Sequence, residues 1–436
     1  MSLFLSRRFF VVAILLIALF VLGYTIPAVY VLARVLLWVW VGLCVLEAIL
    51  LYAVPSRRMQ AERHCAERFS NGDPNEVLID VTSPYAFPVR VQVADEAPVD
   101  FQLRDFVMQR MLSARQSVTL RYTLTPHHRG AYRFDHIRLF FSTPLGMVER
   151  RYTRGTPVAV KVYPSFAHLS LYSLMCTHRL DEYGIKRVRQ VGSDTDFEQI
   201  KDYVAGDEFR SINWKASARV HSLKVNVYQQ DRSMPVYCIV DKGRMMQQSA
   251  CGLTFFEHSV NAALALAYVA IRKDDQAGLV TLGAEVDAFV PARRHETQMP
   301  LLMEALYRQE TTFPECDYSS LSTFFTQRVT KRSLAILFAN FSTLNALDRE
   351  LPHLLHIAHR HQLLVVMFRD REMEAFVARQ PVNTEEYYQQ ISVEKYNRER
   401  LLIIRRLRQN NILTLYTLPE QLSVGIINSY LEYRHF

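Results

Sequence analysis

The most distinct pattern in the chain is a long apolar block near its start. From Phe9 to Val54 the residues are almost all hydrophobic, and Pro27 divides the block into two stretches. The first, of about 18 residues, corresponds to about 27 Å of helix, and the second, of about 27 residues, is long enough to cross a bilayer with some tilt. The presence of a second apolar stretch argues against a cleaved signal peptide. The block therefore predicts a transmembrane helical hairpin over residues 1–58.

Charges beside this block predict its orientation. Arg7-Arg8 precede the first stretch and Arg57-Arg58 follow the second, whereas the turn at 23–28 carries no positive charge. Because cytoplasmic flanks of membrane helices are enriched in Lys and Arg, both ends of the hairpin are expected on the cytosolic side. Residues 59–436 are then cytosolic as well.

Two charged residues, Arg34 and Glu47, fall within the apolar block. Each lies near an end of the second stretch, where a long side chain can reach the headgroup region. We therefore expect both to snorkel toward water, with a functional pair at membrane depth as the alternative.

Alternation of β-branched or aromatic residues with polar ones begins after the hairpin. Five such runs, separated by Pro and Gly breaks, predict strands: Val77–Val81, Val89–Val93, Ser117–Leu124, His136–Phe141 and Pro157–Val162. Short strands at this spacing are typical of an antiparallel sandwich. Residues 59–170 are therefore expected to form a β-sandwich-like domain with an interaction or spacer role.

Apolar strand patterns alternate with helical patterns over residues 233–436. Met234–Asp241, Leu334–Ala339 and Leu363–Phe368 have the unbroken apolar character of buried parallel strands, and Leu344–Arg360 and Glu385–Arg408 have helical periodicity. This order predicts an α/β class with a doubly wound sheet. Ligands bind such sheets at the carboxyl ends of the strands, which directs attention to Asp241 and Asn340.

Composition narrows the classes of function. The net charge is +8, of which +4 belongs to residues 1–58, so the remaining charge is too dilute to indicate nucleic-acid binding. Six scattered cysteines without a Cys-x-x-Cys pair are typical of reduced thiols in a non-oxidising compartment. The chain contains no phosphate-binding loop, zinc-binding His-Glu-x-x-His helix or nucleophile elbow, which weakens the case for an enzyme.

A dense motif occupies the connector predicted over residues 171–232. Its fixed positions are Tyr203, Gly206, Asp207, Arg210, Ile212, Trp214, Ser217, Ala218 and Arg219. Together with Arg129-Gly130-x-Tyr132, Pro144-Leu145-Gly146 and Val160-x-Val162-Tyr163-Pro164, this motif resembles a bacterial membrane protein family named for its "domain of unknown function 58".

The resemblance implies an architecture, a location and a partner. It implies a transmembrane hairpin, a β-sandwich and, over 233–436, a domain similar to the von Willebrand factor type A fold. It places the protein in the bacterial cytoplasmic (inner) membrane as a two-pass protein. It also implies a protein partner, a MoxR-type AAA+ ATPase, and brings no settled biochemical activity.

Within the motif, Asp207 and Arg210 are spaced to pair across one helical turn, and Trp214 is suited to anchor the element against a sheet. We interpret the motif as a structural clasp between the β-domain and the α/β domain. A partner-recognition surface is the second interpretation, since Trp and Arg dominate binding hot spots. Catalysis is the least favoured.

The metal site that a type A domain implies is degenerate here. Its Asp-x-Ser-x-Ser pattern corresponds to Asp241–Met245, in which Gly243 and Met245 replace both hydroxyl residues and Asn340 replaces a later acid. The candidates for a middle ligand are Thr311, Thr312 and Asp317. Because Mg²⁺ prefers several oxygen ligands, we expect no metal and no cofactor.

Three roles remain open for the strand-end residues. Asp241 is expected to cap backbone N–H groups or to pair with Arg244. Alternatively, Asp241, Lys242, Arg244 and Asn340 form a metal-free docking face whose cations attract an acidic partner. Mg²⁺ binding is the third and disfavoured role.

Two clusters of basic residues have ordinary interpretations. His353, His356, His359 and His361 are expected on a solvated helix face rather than in a zinc site. Arg398, Arg400, Arg405, Arg406 and Arg408 are expected on an exposed helix face interleaved with glutamates. Binding of RNA or anionic lipid by these arginines is the alternative.

The sequence thus predicts a non-enzymatic, membrane-anchored interaction or scaffold protein that presents a cytosolic type A-like domain to protein partners. The alternative is a divalent-metal-dependent hydrolase, using Asp241 with Asp317 or Asp207, or a metal-dependent adhesion-type binder. A lipid- or nucleic-acid-binding scaffold is a third hypothesis.

Overall fold

The chain divides into two units between Tyr163 and Pro164 in a computed structural model. The described residues are 3–101, 107–166, 169, 191–192, 195–204, 207, 209–220, 222–230, 233–294 and 297–434. The division into residues 1–58, 59–170, 171–232 and 233–436 stays a prediction.

The apolar block of the first unit forms two helices, α1 (Arg7–Gly23) and α2 (Pro27–Tyr52). Pro27 begins α2, where its fixed φ suits a first helical turn. A Cβ at Gly23 would lie 2.9 Å from the Cα of Tyr30, so only glycine permits this close approach of the helices. Among the described residues, α2 is the one helix that is long and apolar enough to cross a membrane by length and composition. Helix α1 is shorter, with 17 residues.

Eleven strands accompany these helices among the described residues of the first unit. They are β1 (Leu3–Leu5), β2 (Gln60–Cys65), β3 (Arg68–Ser70), β4 (Asn75–Thr82), β5 (Val89–Asp95), β6 (Met108–Leu112), β7 (Ser117–Leu124), β8 (Gly130–Phe134), β9 (Ile137–Ser142), β10 (Val148–Arg154) and β11 (Val158–Tyr163). They form sheets of order β1-β10-β9-β5-β6, β2-β4-β7 and β3-β11-β8. Of the pairings between these described strands, β3–β11 alone is parallel. All five predicted strands are confirmed within a few residues.

These sheets bury one shared core. The alternating burial of β4 places Val77, Ile79 and Val81 inside, and β5 does the same with Val89 and Val91. The period of two that predicted the strands therefore also selects the buried face.

A single carboxylate in α2 ties this helix to the β-structure. Glu47 is only 2% exposed, and its two oxygens accept hydrogen bonds from the backbone N–H groups of Gly146 (3.1 Å), Met147 (3.0 Å) and Val148 (3.0 Å). The hydroxyl of Thr143 also donates to it. We call this arrangement the Glu47 clasp. The expectation that Glu47 snorkels is wrong, because the 143–148 loop supplies its polar partners directly.

The carboxyl end of α2 is held by a second set of contacts. The Arg150 guanidinium donates to the carbonyls of Leu51 (2.5 Å) and Val54 (2.8 Å), and the Tyr85 hydroxyl donates to Leu51 as well (3.0 Å). A cation at this end also complements the helix dipole. Helix α2 is therefore fixed to the strands at two points.

Substituting Glu47 tests the clasp. The Glu47→Gln variant keeps one carbonyl acceptor but loses the charge and turns an N–H₂ group toward backbone donors. We expect the first unit to lose about 2–3 kcal/mol of unfolding free energy, because buried donors lose their acceptor. Chemical unfolding in detergent micelles measures the change.

The matched control is Glu62→Gln, since the Glu62 side chain is 79% exposed. It should change stability by less than about 0.5 kcal/mol. Equal stabilities for the two variants would contradict the clasp.

The second unit contains eleven strands and eight α-helices among its described residues. The strands are β12 (Val191–Gly192), β13 (Thr195–Asp202), β14 (Lys224–Gln230), β15 (Pro235–Asp241), β16 (Ser249–Ala250), β17 (Leu253–Thr254), β18 (Gln276–Leu282), β19 (Val286–Arg293), β20 (Leu334–Phe338), β21 (Gln362–Phe368) and β22 (Leu413–Thr417). The helices are α3 (Trp214–Val220), α4 (Phe255–Arg272), α5 (Gln298–Tyr307), α6 (Tyr318–Arg328), α7 (Leu344–Arg360), α8 (Arg371–Ala378), α9 (Thr384–Gln409) and α10 (Leu422–Tyr433).

The main sheet of this unit has the order β19-β18-β15-β20-β21-β22 and is parallel except at β19. Helices cover both faces, and the side chains of β15 alternate between them. Cys238 and Val240 join a core with α4 and α10, while Tyr237 and Ile239 join another with α6, α7 and α9. The mixed α/β class is confirmed, and α7 matches its predicted bounds to the residue. A separate small antiparallel sheet, β12-β14-β13, flanks α3.

Candidate functional site

The carboxyl ends of the parallel strands bring the predicted site residues to one edge of the sheet. Asp241 is the last residue of β15, and Asn340 follows the neighbouring strand β20 by two residues. Lys242 and Arg244 continue from Asp241 into a turn of 3-10 helix, Arg244–Gln247. This arrangement is the one the strand pattern predicted.

Internal donors surround the Asp241 carboxylate, which is 4% exposed. Its Oδ1 accepts from the backbone N–H of Gly243 (2.7 Å) and the thiol of Cys316 (2.8 Å), and its Oδ2 accepts from the hydroxyl of Tyr318 (2.7 Å). A Cβ at Gly243 would lie 2.8 Å from Oδ1, so the turn needs glycine to come this close. The predicted capping of backbone N–H groups is thus present at Gly243.

Burial sets the protonation behaviour of this cluster. It raises the pKa of the Asp241 carboxyl above its ordinary value, and the charge of Glu350 adds to this effect. Burial also raises the pKa of the Cys316 thiol and of the Tyr318 hydroxyl, and the neighbouring carboxylate reinforces both shifts. Both groups are placed as donors to the Asp241 carboxylate, in agreement with the direction of these shifts.

The surrounding residues do not fit the metal that a type A site holds. Thr311 donates its hydroxyl hydrogen to the carbonyl of Lys242 (2.9 Å), and Asp317 caps the start of α6 at the N–H of Ser319 (2.9 Å). In the part of the chain that the structure describes, no group of three His, Cys, Asp or Glu residues could hold a metal ion. Instead, both oxygens of the Asp241 carboxylate accept hydrogen bonds from protein groups.

The two cations after β15 differ in accessibility. The Lys242 ammonium is mostly buried and forms an ion pair with Asp287 (2.7 Å). Arg244 is exposed, and no ion pair joins it to Asp241 within the described residues. The assignment of these residues to partner binding stays a prediction, and Arg244 is the member that a partner could reach.

Asn340 contacts Arg400, a charged residue that was predicted to lie on an exposed helix face. Its Oδ1 accepts from the backbone N–H of Phe368 (3.1 Å) and from the guanidinium of Arg400 (2.9 Å). Arg400 is 2% exposed and also donates to the carbonyl of Phe368 (2.9 Å) and to the hydroxyl of Tyr396. Among the described residues it pairs with no carboxylate. The Nδ2 of Asn340 and the Nε of Arg400 are buried without partners.

The exposed arginine face predicted on α9 is therefore wrong at Arg400. Arg400 lies on the buried stripe of Ile403, Ile404 and Leu407 and latches α9 to the ends of β20 and β21. Arg398 and Arg406 are exposed and pair with Glu394 and Asp348.

The solvated-face prediction for the histidines also fails at one position. His361 is 4% exposed, and its Nδ1 lies 2.8 Å from the hydroxyl of Ser333. Burial lowers the pKa of its imidazole. His356 and His359 are exposed on α7, as expected.

Several residues of the motif around Trp214 build a hydrogen-bonded framework. Asp207 accepts from the ammonium of Lys201 (2.8 Å) and the N–H of Val204 (3.0 Å), and these bonds lower the pKa of its carboxyl. The Ser217 hydroxyl accepts from the N–H of Lys224 (2.8 Å), and Ile212 is buried and bridges to β14. The predicted Asp207–Arg210 pair is therefore wrong, because Lys201 takes that place.

Other motif residues face solvent. Trp214 is 61% exposed and does not anchor α3 against a sheet. The prediction that Trp214 acts as such an anchor in a structural clasp is therefore wrong. Arg210, Ala218 and Arg219 are exposed too, and Tyr203 is half-buried, its N–H donating to the carbonyl of Leu223 (2.9 Å). Gly206 lies outside the described residues.

The chain is similar to proteins without a known function. A family model described as "Protein of unknown function DUF58" matches residues 199–405, which confirms the resemblance over that range. The "Uncharacterized protein YeaD" of Bacillus subtilis is 25% identical over 253 residues, which cover 56% of this chain and 61% of that protein. The alignment thus spans less than two thirds of the relative.

Two solved domains each match about a quarter of the chain. The CARDB domain of the PF1109 protein of Pyrococcus furiosus is 13% identical, with a TM-score of 0.17, and covers 25% of this chain and 94% of that domain. A PapD-like domain of human CEP192 is 12% identical, with a TM-score of 0.16, and covers 26% and 87%. At these scores neither likeness supports an argument.

The latch between Asn340 and Arg400 can be tested by adding the missing counter-charge. In Asn340→Asp a carboxylate oxygen replaces the Oδ1 that lies 2.9 Å from the guanidinium. We expect the second unit to gain about 1 kcal/mol of unfolding free energy, because a buried unpaired charge is costly. Thermal and chemical unfolding at neutral pH measure the difference.

Asn340→Leu serves as the opposite variant, since it removes the only side-chain acceptor that Asn340 offers Arg400. It should be less stable than wild type. If Asn340→Asp were the less stable of the two variants, the Arg400 charge would be satisfied in another way.

Proposed function

We propose that this protein is a non-enzymatic, two-pass protein of the bacterial cytoplasmic membrane that presents its cytosolic α/β unit to a protein partner. The Glu47 clasp carries this proposal. A helix that leaves apolar side chains exposed is joined to a folded unit by a buried carboxylate, which suits a rigid junction between a membrane anchor and a protein domain.

The exposed faces of both helices support membrane insertion. Ile14, Ile17 and Val21 of α1 and Trp38 and Ile49 of α2 each expose half or more of their surface. Soluble proteins rarely expose apolar patches of this extent. The arginine pairs beside the helices favour a cytosolic location for the rest of the chain.

The α/β unit supports a partner-binding role. Its mostly parallel sheet, with helices on both faces and an acid at the end of β15, is consistent with the proposed type A-like fold. Asp241 is engaged internally, so the strand-end face is suited to docking rather than to metal chemistry. Exposed Arg244 can attract an acidic partner segment.

The resemblance suggests a MoxR-type AAA+ ATPase as that partner. The test is a pull-down of the tagged full chain from solubilised membranes, with and without nucleotide, followed by identification of the captured ATPase. Because reversing a charge at an interface slows association, Arg244→Glu should reduce recovery about tenfold, which corresponds to about 1.4 kcal/mol.

The matched control is Arg398→Glu, a charge reversal at another exposed arginine of the same unit. It should leave recovery unchanged. The proposal fails if wild type recovers no ATPase, if both variants behave alike, or if alkaline carbonate washes the protein from membranes.

A further inference from the structure

The second unit also exposes large apolar side chains in and around α3, away in sequence from the strand-end residues. Val204, Phe209, Trp214 and Val220 are 62%, 69%, 61% and 58% exposed. The rings of Phe209 and Trp214 are neighbours, with centroids 6.2 Å apart. We call this surface the Trp214 patch. Exposed large apolar side chains, two of them aromatic rings in contact, are typical of a binding surface.

The patch is held in place by the polar framework beneath it. Asn213 caps α3 by accepting from the N–H of Ala216 (2.9 Å), and its own N–H donates to the carbonyl of Lys224 (2.8 Å). The hydroxyl of Ser217 donates to the carbonyl of Asn213 (2.8 Å). Trp214 therefore projects outward from an ordered element rather than from a loose loop.

Positive charge accompanies the apolar side chains. Arg210, Lys215 and Arg219 are exposed, and no ion pair involves them within the described ranges. Lys215 and Arg219 lie four residues apart on α3, beside the face that Trp214 shares with Ala218. Two acids of this region that the structure describes are already paired, Asp207 with Lys201 and Asp202 with Lys224.

We propose that the Trp214 patch docks on the anionic surface of the bilayer in which the chain is anchored. Aromatic and aliphatic side chains beside Lys and Arg are the composition of protein surfaces that lie in the headgroup region. Cations attract anionic lipids with about 1 kcal/mol per residue. We favour a bilayer over an acidic protein because the membrane anchor holds the patch at a high effective concentration of lipid surface. This inference rests on the membrane location proposed above.

Native tryptophan fluorescence tests the docking in the full chain. The chain has three tryptophans, Trp38, Trp40 and Trp214, so a Trp38→Phe, Trp40→Phe variant emits from the patch alone. It is reconstituted into vesicles of phosphatidylcholine with about one-third phosphatidylglycerol, with or without acyl chains brominated near the headgroup. Interfacial side chains sit roughly 5–10 Å into the boundary, so bromination should quench emission about twofold.

Charge reversal provides the matched comparison. Arg210→Glu, Lys215→Glu and Arg219→Glu together should abolish quenching, as should about 1 M salt. The same three-charge reversal at Lys395, Arg398 and Arg405, which are exposed on α9, should leave quenching intact. If the double Phe variant fails to insert, the difference between wild type and Trp214→Phe reports the same signal.

The outcomes separate this inference from the proposed function. Extraction by alkaline carbonate would overturn the membrane location itself. Unquenched Trp214 in a chain that resists carbonate would overturn only the lipid docking and would leave an acidic protein as the occupant of the patch. Quenching that ignores both salt and charge reversal would contradict the role of the three cations.

Discussion

The structure of the first unit depends on the need of a buried carboxylate for hydrogen-bond donors. Glu47 is buried in a mostly apolar helix, so its charge cannot remain there without polar partners. Three backbone N–H groups and one hydroxyl from the 143–148 loop supply them. The requirement fixes the rotation and depth of α2 against the strands, and Arg150 fixes its end. An apolar helix thereby becomes part of a folded unit.

In the second unit a buried positive charge likewise needs polar partners. Arg400 is buried at the strand ends, and its described partners are an amide, a carbonyl and a hydroxyl. Asp241, on the same sheet edge, is satisfied by a thiol, a hydroxyl and an N–H group. Both groups are engaged internally, so Arg244 and the Trp214 patch are the surfaces that we propose for recognition. The framework around Asp207 and Ser217 holds that patch outward.

Local patterns predicted the elements well because strand alternation and helical periodicity are properties of adjacent residues. Helix α7, five strands of the first unit and the buried parallel strands β15, β20 and β21 follow from them. The Glu47 clasp was missed because three of its four donors are backbone groups 99 to 101 positions away, which carry no residue signature. Arg400 was predictable in principle, since it continues the apolar spacing of Ile403, Ile404 and Leu407. Spacing suggested an Asp207–Arg210 pair, but Lys201 on β13 reaches Asp207 from outside that turn.

Hydrogen exchange at Gly146, Met147 and Val148 measures the clasp most directly, in the full chain reconstituted in lipid nanodiscs. These amides lie in a loop or at its border. Loop amides that are bonded only to water exchange rapidly, because little structure has to open before they exchange. Glu47 as their acceptor predicts protection comparable to that of the central amides of β9. Exchange as fast as that of exposed loop amides, in a chain that is otherwise folded and lipid-bound, would contradict the account.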